Sequence, residues 1–229
     1  MTTSDATPRT LVLWDIDHTL IETRGVGRAI YDRAFPAATG QPLAKLATIA
    51  GKTELDIMAE SLKVNGLEVT DRAIQKLADA LIRGYEDARE NLATTGRALP
   101  GALETLERFA ADRTIHQAIL TGNLRDVARI KLEVFDLASL LDFDSSAFGD
   151  DHAERSALVQ IARQRAEART GARFDNEQIV LIGDTPNDVK AGLSAGVRVV
   201  GVATGKTSEA ELRHAGATQT VPTLLNLQL

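Results

Sequence analysis

Short runs of apolar residues alternate along the chain with longer segments in which apolar side chains recur at helical spacing. Each short run has the length of a strand and is followed by polar residues or glycine. Continuous apolar runs of this length are typical of strands buried on both faces, as in a parallel sheet covered by helices. The runs are residues 11–14, 118–120, 179–182 and 197–202, with a weaker candidate at 146–148.

The intervals after the second run carry helix signals. Residues 157–169 and 187–195 have apolar side chains at helical spacing, and Ser208 with Glu211 forms a capping box that opens a short helix. Regular alternation of strands and helices predicts an α/β fold with a doubly wound, Rossmann-like parallel sheet.

The interval between the first and second runs is too long for a simple crossover. A crossover between parallel strands needs only a dozen or more residues, whereas this one extends over residues 21–116. We therefore expect a catalytic core formed by residues 1–21 and 99–229, and a helical cap domain, residues 22–98, inserted after the first strand. Two helical faces lie in the insert, formed by Leu55, Met58 and Leu62 and by Ile74, Leu77, Ala78, Leu81, Tyr85 and Ala88.

Composition narrows the classes of function. The 229 residues carry 26 Lys and Arg against 32 Asp and Glu, a net charge of −6, which argues against general binding to nucleic acid or to an anionic membrane. The absence of cysteine excludes disulfides and thiolate metal sites. Residues 1–10 lack the apolar segment of a signal peptide, and no run approaches the length of a membrane span. We expect a cytoplasmic protein.

Two acids, Asp15 and Asp17, follow the first strand. Open α/β sheets bind ligands in the crevice at the carboxyl ends of their strands, where both carboxylates could point. One acid could then serve as nucleophile or metal ligand and the other as general acid and base. Taken alone, such a pair more often marks a solvated turn in which an Asp caps the next element.

Thr121, Gly122 and Asn123 follow the second strand. A hydroxyl and a flexible backbone at a strand end can donate hydrogen bonds to a phosphate group, and glycine lets the chain approach closely. The same residues are also ordinary turn and N-cap chemistry.

Asp184 directly follows the fourth strand, and Asp188 lies in the first turn of the next predicted helix. Acids at that position can simply favour the positive end of the helix. The alternative is a Mg²⁺ site, since this ion takes carboxylate oxygens, waters and phosphate oxygens. Because Asp15, Asp17 and Asp184 lie at one edge of the predicted sheet, their convergence favours the metal and phosphate site.

Three segments, residues 15–20, 121–123 and 183–188, resemble the first, second and fourth motifs of the haloacid dehalogenase-like (HAD) hydrolase superfamily. The resemblance extends over almost the whole chain in the right order, and the insert lies where many members carry a helical cap. Within the superfamily the chain is most similar to the phosphoglycolate-phosphatase-like branch.

The resemblance implies a phosphatase that acts on a small phosphorylated metabolite. It implies that Asp15 attacks phosphorus to form an aspartyl-phosphate, and that Asp17 protonates the departing alcohol and then activates water. It also implies a Mg²⁺ ion held by Asp184, the Asp15 carboxylate and the main-chain carbonyl of Asp17, with Asp188 in support. Positioning and charge neutralisation supply most of the rate in phosphoryl transfer.

The third motif of the superfamily is a basic residue before a helix, for which Arg155 is the best match. Arginine is permanently charged and can hold phosphate with two donors; the alternative is a solvated arginine at a helix start. Lys131 is a second candidate, but it falls in the middle of a helix before the third strand, which we expect to be the wrong place.

Two further positions bear on the substrate. His18 stands where phosphatases of this branch usually have glycine, which puts the loop conformation and the leaving-group pocket in question. His18 is either a substrate contact or a partly exposed loop residue. In the insert, Lys52 is either a contact to a substrate carboxylate or second phosphate, or a surface lysine beside the N-cap Thr53.

Other classes fit less well. A phosphomutase of the same superfamily stays an alternative, because it shares the first chemical step. A signalling receiver domain is about half this length and lacks a large insert, and dehalogenases and phosphonatases generally lack the second acid, Asp17. A binding protein that has lost catalysis is disfavoured, since every expected acid is present. The substrate and the oligomeric state stay open.

Overall fold

The structure is a computed structural model that describes residues 7–49 and 51–229. No helix within these ranges is long and apolar enough to cross a lipid bilayer. The strands are β1 (Thr10–Trp14), β2 (Ile21–Glu22), β3 (Arg97–Ala98), β4 (Ile115–Ile119), β5 (Ile179–Gly183), β6 (Arg198–Val202) and β7 (Gln219–Val221). The helices are α1 (Val26–Thr39), α2 (Glu54–Val64), α3 (Asp71–Asp87), α4 (Arg89–Thr95), α5 (Ala102–Ala111), α6 (Arg125–Val134), α7 (Arg155–Thr170), α8 (Pro186–Ser194) and α9 (Glu209–His214).

Five parallel strands form the central sheet in the order β4-β1-β5-β6-β7. This order confirms the predicted α/β fold. β1 lies between β4 and β5, and Trp14 at its end is in register with Ile119 and Ile182. Because these three strands end at the same level, the segments that follow them begin at one edge of the sheet.

Helices cover both faces of the sheet, which is why its strands are apolar throughout. Val12 and Trp14 face a core that includes residues of α5 and α6, and the alternate residues Leu11 and Leu13 face a core that includes residues of α7 and α8. All four side chains are fully buried. Side chains of a strand alternate between its two faces, so a continuous apolar run is the expected signature of this arrangement.

Helices α1 to α4 form the insert between β2 and β3. The two short strands pair antiparallel, with Ile21 opposite Ala98, and hold the two connections side by side. The insert has an apolar cluster that includes Tyr31, Met58 and Leu81, and residues 124–130 at the start of α6 also contribute to it. The prediction of a helical insert after the first strand is confirmed.

Some strands differ from the prediction. The candidate at 146–148 makes a single bridge, from Ala147 to Leu120, and is not a regular strand. The reason is local: the Ser146 hydroxyl accepts the N–H of Ile119, which a strand would satisfy with a backbone carbonyl. β4 begins at Ile115, earlier than predicted, and the apolar pattern misses this start because His116 and Gln117 are polar. β7 is a polar strand at the edge of the sheet, which the apolar pattern does not predict.

His18 adopts the left-handed backbone conformation that glycine favours, with φ of 61°. Its N–H donates to the carbonyl of Ile21, and its own carbonyl accepts from the Thr204 hydroxyl at 2.6 Å. These bonds fix the turn, while the side chain is exposed. The loop therefore keeps the glycine-type turn at the expense of local strain.

We expect His18→Gly to raise the free energy of unfolding by about 0.5–1 kcal/mol, since the relief of left-handed strain exceeds the added entropy of the unfolded chain. Urea unfolding measures the change. His152→Gly is the control, because His152 does not have a positive φ, and it should lower stability. Equal losses in both variants would show that the turn at His18 is not strained.

Candidate active site

The first catalytic candidates lie where β1 ends. The N–H of Asp15 donates to the carbonyl of Ile182 at 2.9 Å, which continues the β1–β5 ladder for one further residue. This bond fixes Asp15 at the carboxyl edge of the sheet, with its side chain buried. Asp17 lies two residues on, and its side chain keeps about a third of its surface exposed.

Asp15 forms a buried acidic cluster with Asp184 and Asp188. Each residue offers a carboxylate oxygen, and the three oxygens lie within 4.8 Å of one another. Asp184 directly follows β5, and Asp188 lies in the first turn of α8. Oxygen ligands of this kind suit a hard divalent cation. Of the four residues expected to hold a metal, Asp15, Asp184 and Asp188 form this cluster, and Asp17 is not a member of it.

A capping box sets the position of Asp188. Thr185 is the N-cap of α8, with its hydroxyl facing the N–H of Asp188, while the Asp188 Oδ2 accepts the N–H of Thr185 at 3.0 Å. Pro186, in the first turn, favours the helical start at that point. Oδ2 of Asp188 thus accepts a hydrogen bond at the start of the helix, and Oδ1 accepts one from Arg155 in the cluster.

The acidic cluster carries more negative charge than its surroundings balance. Burial, opposed by Arg155 and reinforced by Asp188 and Asp17, raises the pKa of Asp15 to about 7. Burial, together with the nearby acids, raises the pKa of Asp184 to about 8. Neighbouring carboxylates resist ionisation together unless a cation is present. The cluster therefore has the charge expected of a cation site.

Arg155 is the cation beside the nucleophile candidate. It is the first residue of α7, and its Nη2 lies 2.7 Å from Asp15 Oδ1 and also donates to Asp188 Oδ1. Its side chain is about nine-tenths buried, so it is not a solvated arginine at a helix start. Its Nε is buried without a hydrogen-bond partner, which leaves a donor available for a bound group.

Lys131 lies in the site, contrary to the prediction from its sequence position. Its Nζ lies 2.7 and 2.8 Å from the two carboxylate oxygens of Asp17 and 2.7 Å from Asn123 Oδ1. The expectation that a mid-helix position keeps it from the site is wrong. Long side chains on a helix point back toward its N-terminus, so Lys131 on α6 reaches the segment from which the helix starts. The Lys131 ammonium holds the pKa of Asp17 below its ordinary value, against the effect of burial.

The segment after β4 connects the site to the insert. Asn123 Nδ2 donates to Asp17 Oδ2 at 2.7 Å and to the Thr121 hydroxyl at 2.8 Å. The Gly122 carbonyl accepts the N–H of Glu54 at 2.7 Å, and a Cβ on Gly122 would lie 2.1 Å from the Lys52 carbonyl oxygen. Glycine at this position therefore lets the insert loop approach the strand end.

Lys52 and His18 contribute to the site through their backbone atoms. The Lys52 ammonium pairs with Asp56 at 3.0 Å and Glu60 at 2.6 Å, both on α2, so its charge is engaged within the insert. Its backbone, by contrast, is packed against the strand-end segment. His18 contributes its backbone to the turn after Asp17, and its side chain is exposed.

Sequence reasoning missed two glycines that shape the site. A Cβ on Gly205 would lie 1.9 Å from Asp184 Oδ2, and a Cβ on Gly149 would lie 1.8 Å from the Gly122 carbonyl oxygen. Each glycine follows a segment that pairs with the sheet, at its active edge. That placement is the signal that could have identified them, since a glycine at a strand end often marks a close approach.

Known proteins are similar to this chain in sequence and in fold. The family model of haloacid dehalogenase-like hydrolases matches residues 12–192. The chain belongs to this family. A phosphoglycolate phosphatase from Agrobacterium fabrum is 25% identical over 199 residues, which cover 86% of this chain and 82% of the relative. Two solved structures have the same fold over at least 95% of both chains: a hydrolase from Pseudomonas syringae (TM-score 0.68, 24% identity) and a HAD hydrolase, family IA, variant 3, from Entamoeba histolytica (TM-score 0.70, 19% identity).

Gly205→Ala tests the acidic cluster as a cation site. The added methyl group must displace the Asp184 carboxylate, so we expect at least about tenfold weaker Mg²⁺ binding by isothermal titration calorimetry, as for other residues that orient metal ligands. The control is Gly40→Ala, which strains a left-handed glycine with open space around it and should lower stability without changing Mg²⁺ affinity. Unchanged affinity in Gly205→Ala would remove Asp184 from the cation site.

Proposed function

We propose that this protein is a Mg²⁺-dependent phosphatase that hydrolyses a small phosphorylated metabolite through an aspartyl-phosphate on Asp15. The observation that carries the proposal is the convergence on Asp15 of two buried acids, Asp184 and Asp188, and one buried cation, Arg155. A nucleophilic carboxylate needs a metal ion and a basic side chain beside it to accept a phosphoryl group; here Arg155 is the basic side chain, and the clustered acids suit a divalent ion. The similarity to a phosphoglycolate phosphatase supports the same conclusion.

The acidic cluster fits Mg²⁺ in its donor set and charge. Asp15 and Asp184 would hold the ion with carboxylate oxygens and Asp17 with its main-chain carbonyl, while Asp188 supports the site. Mg²⁺ prefers few carboxylates and shares the remaining positions with waters and phosphate oxygens. When bound, the ion neutralises charge on the transferring phosphoryl group.

The side chains then divide the chemistry. The Asp15 carboxylate attacks phosphorus, and the bond from phosphorus to the ester oxygen breaks as the new bond forms. Asp17 gives a proton to the departing alkoxide and later takes one from the water that attacks the aspartyl-phosphate. That second attack releases phosphate and regenerates the Asp15 carboxylate. The Arg155 guanidinium holds the phosphoryl oxygens, with Thr121 and Gly122 providing further donors.

The insert would limit the substrate to a small molecule. We propose that residues 22–98 form a cap domain over the core of residues 1–21 and 99–229. Two contacts support this: the Glu54 N–H bonded to Gly122, and the Thr53 hydroxyl bonded to the Ala153 carbonyl at 2.8 Å. Segment 51–54 thus covers the edge where the catalytic residues lie. Lys52 and His18 would contact the leaving group only after a change of their side-chain conformations.

A phosphomutase would use the same first step and then transfer the phosphoryl group to a second hydroxyl. Asp17 serves as acid and base in both reactions, so the acceptor decides between them. Assaying a panel of phosphorylated metabolites for inorganic phosphate and for isomerised sugar phosphates separates the two functions. Release of phosphate to water as the main product supports the phosphatase.

Asp15→Asn should lower phosphate release by at least about 10³-fold, because the amide keeps the size of the side chain but is not a competent nucleophile. Acid quenching of the wild type during turnover should leave phosphate on Asp15, detected by peptide mass spectrometry. Asp32→Asn is the matched control, since Asp32 is exposed on α1 and pairs with Arg28. An Asp15→Asn variant that kept a tenth of wild-type activity would contradict covalent catalysis at Asp15.

Mg²⁺ should raise the melting temperature, and more at pH 8 than at pH 6. The pKa values of Asp15 and Asp184 lie above their ordinary value of 3.8, at about 7 and about 8, so the metal-free folded state holds protons that the unfolded state has lost. Its stability therefore falls as pH rises through these values, and Mg²⁺ replaces the protons.

Differential scanning fluorimetry with MgCl₂, against NaCl of equal ionic strength, measures the shift. Asp184→Asn should remove most of it, because a neutral amide replaces a charged ligand. A wild-type shift that is absent, or that is equal in Asp184→Asn, would contradict the Mg²⁺ site.

A further inference from the structure

A buried ammonium holds the second acid of the site. Lys131 is 3% exposed, and its Nζ has three oxygen partners: both carboxylate oxygens of Asp17 and Oδ1 of Asn123, all within 2.8 Å. An ammonium has three N–H donors, which these oxygens share with the Tyr85 hydroxyl. A lysine that makes such contacts has lost its conformational freedom, and the contact to Asp17 is correspondingly specific.

Asn123 closes the arrangement into a ring of three side chains. Its Oδ1 accepts from Lys131, and its Nδ2 donates to Asp17 Oδ2 at 2.7 Å. Asp17 is thus held by two groups that both come from the segment after β4, while its remaining surface is open. Contacts to both oxygens of a carboxylate fix its side-chain torsions, which a single hydrogen bond does not.

Two cations contact three acids in this site. Arg155 contacts Asp15 and Asp188, whereas Lys131 contacts Asp17. Arg155 thus lies beside the carboxylate that attacks phosphorus. Lys131 lies beside the carboxylate that exchanges protons with the leaving group and water. Lys131 is therefore not a second candidate for the role of Arg155, because its ammonium is directed at a different acid.

The insert covers Lys131 from the other side. The Tyr85 ring, on α3, has its centroid 5.2 Å from Nζ, and the Glu54 carboxylate, at the start of α2, accepts a hydrogen bond from the Tyr31 hydroxyl nearby. An aromatic face attracts an ammonium and excludes the water that would compete for it. The insert therefore helps to keep the Lys131–Asp17 contact intact.

We propose that Lys131 is a positioning residue for proton transfer: it holds the Asp17 carboxyl group in the orientation that delivers a proton to the leaving oxygen. This proposal rests on the proposed phosphatase function and deepens it. The proton passes from Asp17 to the alkoxide as the bond from phosphorus to oxygen breaks, and Asp17 regains a proton from the attacking water in the second step. Lys131 keeps its own protons throughout. Its ammonium favours the ionised form of Asp17, so Lys131 acts through the orientation of the side chain and not by keeping Asp17 protonated.

The dependence on the leaving group tests this role. An alkyl phosphate requires protonation of a strongly basic alkoxide, whereas p-nitrophenyl phosphate releases a stable phenolate that requires little help. The value of kcat/KM reports the steps up to phosphoryl transfer to Asp15. We expect Lys131→Gln to lower the ratio of alkyl to aryl kcat/KM by about 10²-fold, within the range that general acid catalysis contributes. Lys76→Gln, an exposed position on α3, is the matched control.

Chemical rescue separates the ammonium from the fold. The chain contains no cysteine, so Lys131→Cys carries a single thiol. Alkylation with 2-bromoethylamine in denaturant, followed by refolding, rebuilds an ammonium at the length of lysine. We expect the alkyl-to-aryl ratio to return to within about threefold of the wild-type value, while alkylation with iodoacetamide, which adds a neutral amide, leaves it low.

The outcomes distinguish the two proposals. An active wild type with equal loss for both esters in Lys131→Gln, or with no rescue by the rebuilt ammonium in a refolded protein, overturns the positioning role and leaves the phosphatase function standing. A wild type inactive on both esters in the presence of Mg²⁺ overturns the phosphatase function and the role of Lys131 with it.

Discussion

The repulsion between carboxylates at one edge of the sheet is the constraint on which this site depends. Asp15, Asp184 and Asp188 lie within 4.8 Å of one another and are buried, so solvent does little to screen their charges. Such a cluster persists only because other groups hold each acid in place. Arg155 contributes one positive charge, and the negative charge that remains is of the kind that a divalent cation neutralises.

The register of the sheet turns separate chain segments into this cluster. β1, β4 and β5 end at the same level, so a residue that follows each strand starts within a side chain's length of its neighbours. The start of α8 is fixed by the capping box of Thr185 and Asp188, which places one acid of the cluster through a bond that also stabilises the helix. The same atoms thus stabilise the start of the helix and position the Asp188 carboxylate.

Close backbone approach is the second requirement. Gly122 and Gly149 leave no room for a side chain where the insert loop meets the strand ends, and Gly205 leaves none beside Asp184. The insert reaches the site through this contact and covers Lys131 with Tyr85. The site is therefore built from both parts of the chain: the sheet edge supplies Asp15, Asp17 and Asp184, and the insert supplies part of the environment of Lys131, which contacts Asp17.

The sequence by itself determined the elements and the chemistry that follow from local pattern. Runs such as 11–14 and 179–182 predict buried parallel strands because both of their faces must be apolar, and polar residues directly after them, such as Asp15 and Asp184, must then lie at the edge of the sheet. Arg155 was identified differently, by its match to the basic residue of the family's third motif, and it is the first residue of α7.

Only the tertiary structure decided which side chains meet across the chain. Lys131 lies eight residues after Asn123 and 114 after Asp17. No pattern of apolar residues in the sequence predicts that its ammonium contacts both side chains. The same holds for Gly205, whose close approach to Asp184 depends on how β6 and β5 are packed. Local pattern is governed by backbone and burial, whereas these contacts are governed by distances between segments that are remote in sequence, and these distances exist only in the folded chain.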